Sequence, residues 1–254
     1  MKKLLMTIIL VAATIFLFTG CSKKDDLSAC DEKKNEIEEK YGITICYGDD
    51  KVEAKELKGA KMLSDETRID TSLDEIDTFF SKLPDGFLDE LEKYSGKSFL
   101  VVMLDQDLSG VIMDGLKEEH WVVDCSMVTS SLALAMMHSI YWHVEHADED
   151  LGFLKDWNKY NPSDFEYGNP DKYKKYLFGN GNDYESYFAI EGEMESMIDD
   201  VRWLFKLLWD EEAILLKDTT LIPKIRAKMR YICSELDRVF ETVDENAYWA
   251  RYIK

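Results

Sequence analysis

The chain has 254 residues, 46% of them hydrophobic and 12% aromatic, enough for one sizeable core and too apolar for wholesale disorder. Four prolines and 13 glycines exclude a collagen-like or proline-rich chain. Acidic residues outnumber basic ones 51 to 31, a formal net charge of -20 that repels phosphate, so no nucleic-acid partner is expected.

The first 20 residues read as an export signal. Lys2 and Lys3 precede an apolar run from Leu4 to Phe18, too short for a comfortable membrane span. Leu17-Phe18-Thr19-Gly20-Cys21 resembles the lipobox of bacterial lipoproteins, with Phe18 where leucine is usual. The resemblance implies cleavage before Cys21, lipidation of Cys21, and a membrane as the first partner, on the extracytoplasmic side. Several acyl chains give stable attachment where one does not. Cleavage also removes Lys2 and Lys3 and no acid, leaving the mature chain more acidic still. Residues 21–30 read as the lipidated cysteine and a polar tether, and 31–254 as one folded domain.

Residues 31–41 have a charged helical pattern. Ile43-Thr44-Ile45-Cys46-Tyr47 has strand composition and ends at the turn signal Gly48-Asp49-Asp50. Ser72 and Glu75 form a capping box before a helix with the stripe Leu73, Ile76, Phe80 and Leu83. Pro84-Asp85-Gly86 breaks it, and Phe87, Leu88 and Leu91 begin a second, shorter helix. Residues 98–104, 111–113 and 121–125 are strand candidates. Residues 129–147 form a helix apolar nearly all round, and such a helix is usually central and buried. A Tyr-, Asn- and Gly-rich stretch spans 157–188. Two amphipathic helices follow, one through Met194, Ile198, Val201, Leu204 and Phe205, the other through Ile225, Met229, Ile232 and Leu236 after Pro223. This order of strands first and helices later predicts an α+β domain with a small N-terminal sheet, a central buried helix and a helical C-terminal half.

Beyond Cys21 the cysteines are Cys30, Cys46, Cys125 and Cys233, with no C-x-x-C spacing, so a cysteine zinc knuckle is not expected. Buried free thiols are the simpler reading, and a Cys30–Cys46 disulfide is the pairing left open. Asp105-Gln106-Asp107-Leu108-Ser109-Gly110 begins like a calcium loop, but the twelfth position is Leu116 in place of glutamate, and a plain turn between strands is expected. The aromatic residues Trp157, Tyr160 and Tyr187 are candidates for stacking on a sugar or peptide, against the reading that they pack the segment onto its own domain.

Three of the four histidines, His138, His143 and His146, lie on the central helix. Helical zinc sites need imidazoles at i and i+4. His143 follows His138 by five residues, which turns it roughly 140° away. His143 and His146 share a face but precede Asp148, Glu149 and Asp150, the solvated end of the helix.

His138-Ser139-Ile140-Tyr141-Trp142-His143-Val144-Glu145 resembles the H-E-x-x-H helix of zincin metallopeptidases, and the strand 121–125 sits where the zincin edge strand should. The chain is similar, more specifically, to the zinc-dependent metallopeptidase-like lipoproteins of bacteria. That likeness extends over Lys40-Tyr41-Gly42-Ile43-Thr44-Ile45, Leu83-Pro84-Asp85-Gly86-Phe87, residues 157–165, Tyr187-Phe188 and the acidic pair Asp199-Asp200, about residues 40–243 in all. It implies a zincin-like fold with His138 and Asp199 as metal ligands. Ser139, however, replaces the glutamate that would activate water, and Trp142 replaces the second histidine. No catalytic residue is therefore assigned and no cofactor is expected, zinc being the one candidate. Three functions follow. The first is a membrane-anchored zincin-like lipoprotein without peptidase activity that binds a peptide or envelope ligand or serves structurally. The second is an active zinc peptidase with a rebuilt site using His138, Asp199 or Glu191, and His143 after a helix distortion. The third is a carbohydrate- or solute-binding lipoprotein using the Tyr-rich segment.

Overall fold

The computed structural model describes residues 27–52, 57, 59–105, 112–114, 118–147, 151–174, 196–209, 223–244 and 246–252. The export signal, Cys21, Tyr187 and Glu191 lie outside these residues. The described chain is α+β. Helix α1 (Leu27–Tyr41) leads to strand β1 (Thr44–Cys46), followed by helices α2 (Glu66–Phe80) and α3 (Phe87–Ser95). Strands β2 (Ser98–Leu104), β3 (Ile112–Asp114) and β4 (Glu118–Asp124) precede the long helix α4 (Val128–Ala147). A single turn α5 (Pro170–Tyr173), then α6 (Met197–Leu207) and α7 (Pro223–Val239), complete the helices. None of the described helices is long and apolar enough to cross a membrane.

The sheet order is β1-β2-β4-β3, with β1, β2 and β4 parallel and β3 antiparallel to β4. Parallel strands covered on both faces read as continuous apolar runs, and β2, Ser98-Phe99-Leu100-Val101-Val102-Met103-Leu104, is such a run. Its alternate side chains divide two ways. Phe99, Val101 and Met103 join the main core under the helices. Leu100, Val102 and Leu104 join a smaller cluster with Cys46, Leu57 and Val122 on the opposite face. The same alternation in β4 sends Trp121 and Val123 to the helical side and Val122 to the other. Glu119, two residues before Trp121, therefore shares the face that meets α4.

Helix α4 is the centre of the core, packed against β4, α2, α3 and α6. Val128, Leu132, Ala133, Ala135, Met136, Met137, Ile140 and Val144 are all inaccessible to solvent, as its all-round apolar pattern predicts. Gly86 at φ 78° and Gly96 at φ 66° bracket α3 in the left-handed region that glycine tolerates.

Four expectations are corrected. Helix α2 begins at Glu66, six residues before Ser72, because Asp65 caps it by accepting from the Arg68 N–H at 3.0 Å, and Ser72 is buried inside the helix. The turn expected after β2 does not join neighbours: β3 pairs with β4, and β2 reaches β4 in parallel. The strand read as the sheet edge, β4, is interior, and the edge is β3. Helix α1 begins within the stretch read as a tether, and Cys30 is buried in the core. Cys30, Cys46, Cys125 and Cys233 are all free, so the Cys30–Cys46 disulfide is absent and the thiols are packing groups. Asp105, the first residue of the calcium-like loop, is ion-paired with Lys61 and Arg68.

Candidate functional site

Two of the buried polar clusters among the described residues lie on or beside the helices that carry the candidate residues. The first lies between β4 and α4. Glu119 is almost wholly buried, and its carboxylate meets His143 Nε2 and accepts from Trp121 Nε1 at 3.0 Å. The buried Ser139 hydroxyl, one turn before His143, lies close enough to add to the stabilisation without a full hydrogen-bond geometry. Burial alone would raise the Glu119 pKa. The contacts from His143, Ser139 and Trp121 outweigh it and hold the carboxyl below its usual range.

The face of α4 that meets the sheet therefore carries Ser139 and His143, spaced i and i+4. His138 lies half-buried beside it, with Nδ1 buried and lacking a hydrogen-bond partner. Burial, then the positive charge of Arg202, push the His138 pKa down, against opposing pulls from Glu119 and Asp199. Its imidazole is neutral at pH 7. Arg202 reaches from α6 to the Leu134 carbonyl, its Nε donating at 3.2 Å.

Trp142, at the second-histidine position, points outward. It is 53% exposed and stacks on His146 at 4.3 Å between ring centres. His146 Nδ1 donates to the Trp142 carbonyl at 2.6 Å, so these two rings close the exposed end of the helix on themselves. Asp199, the third-ligand candidate, is committed at the start of α6: the Ser196 N–H and hydroxyl donate to it at 2.9 and 2.7 Å. His120 faces away from α4 and lies 4.0 Å from Glu118.

Zinc does not fit these residues as placed. His138 and Trp142 offer one imidazole, Asp199 is held by its own helix cap, and His143 is turned onto Glu119. Among the described residues no three His, Cys, Asp or Glu side chains converge as a metal-binding group.

The second cluster joins α6, α7 and the segment after α4. Lys228 Nζ contacts Asp200 Oδ2, and neither side chain is exposed at all. Tyr167 OH donates to the same oxygen at 2.8 Å and Trp157 Nε1 at 3.2 Å. Lys228 Nζ also lies over the Trp157 ring, 4.7 Å from its centre. This corrects the assignment of Trp157 as a ligand-stacking residue, because its indole is fully buried and engaged internally. Tyr160 is half-buried against Tyr231, with ring centres 5.1 Å apart. Of the acidic pair, Asp200 is the buried member.

Sequence reasoning missed Glu119, Lys228 and the role of Asp200. Each carries a signal of one kind, a charge on an apolar stripe: Glu119 in phase with Trp121 and Val123, Lys228 three residues after Ile225, Asp200 four before Leu204.

Grooves of about 480, 530 and 500 Å³ lie elsewhere, around residues 81–89. They are lined by the C-terminal ends of α1 and α2, by Pro84, Asp85 and Asp89, and by Glu241, Thr242, Asp244 and Tyr248.

Compared with known protein families, with curated proteins and with solved structures, the chain finds no match in any of the three.

Proposed function

We propose that the chain is a lipoprotein held by lipid on Cys21 at the extracytoplasmic face of a bacterial membrane. Its domain is zincin-like, does not catalyse peptide hydrolysis, and binds a peptide or envelope ligand or serves structurally. One feature supports the zincin-like reading: β4 leads directly into the buried helix α4. The observation that carries the loss of catalysis is the use made of one α4 turn. Its base position is the buried Ser139, its second-ligand position is the exposed Trp142, and its sheet-facing imidazole, His143, is spent on Glu119. A zincin needs a carboxylate to activate water and two imidazoles on one helix face. The grooves around residues 81–89 are where a ligand would seat, since the α4 site is filled by its own side chains.

Two experiments test this reading. Wild-type protein should sediment with membranes while Cys21→Ala fails to mature; equal release of both into the medium would refute the anchor. The purified protein should show no chelator-sensitive cleavage of a mixed peptide library. Cleavage abolished by chelator and by His138→Ala would restore the active-peptidase alternative.

A further inference from the structure

Helices α1 and α2 give the two ends of the domain different surroundings. Lys33 bonds to Asp70 and Lys40 to Asp77, both across 37 residues, so the two helices run side by side in one direction. Six residues separate Cys21 from Leu27, a reach of at most about 20 Å. The 15 residues of α1 then span about 22 Å. A lipid on Cys21 tethers the start of α1, and the grooves around residues 81–89 lie at its untethered end.

The grooves are continuous. The first two share Ser81, Pro84 and Asp85, and the first and third share Gly86 and Asp89. Leu83, Pro84, Phe87 and Leu88 supply apolar lining. The charged lining is unbalanced. Six carboxylates and three lysines line the three grooves, and two of the lysines are engaged within the chain. Lys40 pairs with Asp77 and lies over the Tyr41 ring, and Lys82 lies over the Tyr248 ring. Among the described residues Glu39, Asp85 and Asp89 stand in no ion pair. The helix ends act in the same sense: α1 and α2 both present C-terminal carbonyls here, and α2 has no basic residue in its last turn. The frame is fixed. The buried Glu90 carboxylate accepts from the Glu241 and Thr242 N–H groups at 2.8 and 3.0 Å and from the Thr242 hydroxyl at 2.7 Å, which ties α3 to the chain after α7. A surface held this way loses little freedom when a partner binds.

We infer that these grooves dock an extended, basic peptide segment of another protein, with lysine or arginine side chains on the acidic rim and apolar side chains against Leu83 and Leu88. A peptide strand offers both kinds of side chain at a spacing of about 3.3 Å. Charge complementarity of this kind selects the partner and excludes others. The same rim repels anionic headgroups and phosphate-bearing polymers, and a second copy of a chain of net charge -20. The inference rests on the reading that these grooves seat the ligand, and the lipid enters only the orientation.

The test is fluorescence anisotropy on the full-length protein in neutral detergent. The probe is a labelled nonapeptide of alternating lysine and leucine, and its glutamate–leucine counterpart is the control. The lysine peptide should bind, more weakly as salt rises, and the glutamate peptide should not. Glu39→Gln, Asp85→Asn and Asp89→Asn together should weaken binding about tenfold, the summed effect of three exposed ion pairs. Ser81→Trp, which fills a position shared by two grooves, should block it. All four positions are exposed, so every variant should melt as wild type does. Binding lost in Ser81→Trp but unchanged in the triple variant, or equal binding of both peptides, would overturn the basic partner and keep the seat. Binding unchanged in every variant would overturn the seat as well. No binding of the lysine peptide to wild type would overturn the inference.

Discussion

The two buried charge clusters differ in their access to water. Glu119 is 1% exposed but its partner His143 is 15% exposed, so the β4–α4 pair opens to solvent at one end. Asp200 and Lys228 are both at 0%. Water reaches the first pair at His143 while the protein stays folded. None reaches the second, whose opposite charges compensate one another. Both clusters bury a carboxylate beside a basic side chain, and they differ in whether that basic partner reaches the rim.

The largest expected effect is a control on the frame shared by both clusters. Ile140 is inaccessible at the middle of α4. Ile140→Asp should leave the domain unfolded, since an unpaired buried charge costs several kcal/mol. A cooperative melt at the wild-type temperature would show α4 to be peripheral.

Next come the sealed residues. Lys228→Met should destabilise by roughly 3–5 kcal/mol, because it leaves Asp200 charged and buried. Lys228→Met combined with Asp200→Leu should recover part of that loss in a urea titration, because both charges then go. A double variant less stable than the single one would contradict a charge-burial cost at this site.

The open pair should yield less. His143→Ala removes one partner of Glu119 but admits water at the rim, so a cost of about 1–3 kcal/mol is expected. Its pH dependence has a definite sign. The Glu119 pKa is depressed in the folded state, so its contribution is complete above the unfolded value of 4.5 and is lost as pH falls through the lower folded value. His138 is also depressed, from 6.5, so below that pH the unfolded chain takes up the proton that the folded chain refuses. Both effects reduce stability in acid. His138→Leu should flatten the decline that begins near pH 6.5, measured by melts across pH 4–8, whereas an unchanged slope would locate the sensitivity elsewhere. The smallest effect belongs to Trp142→Ala, an exposed position with an expected change within about 0.5 kcal/mol.

Sequence patterning conveyed the scaffold well and the clusters poorly, for a physical reason. The all-round apolar pattern of α4 and the unbroken run of β2 state their burial directly, and both elements lie where the periodicity places them. Pairing is a long-range property, and nothing in residues 98–125 alone says that β2 runs parallel to β4 with β3 on the outside. The same holds for charge partners. Glu119 and His143 are 24 residues apart, Asp200 and Lys228 28 apart, and each pair is defined by packing between elements. Motif spacing on α4 drew attention to positions 138 and 142, while the face that packs on the sheet carries 139 and 143. A helix motif fixes relative angles and leaves open which way the helix is turned.

Whether Glu119 and His143 satisfy one another and leave no metal site on α4 is read from the zinc content of protein purified from membranes without chelator. Far less than one zinc per chain is expected, unchanged by His138→Ala. One zinc per chain, lost on His138→Ala or Glu119→Gln, would contradict it.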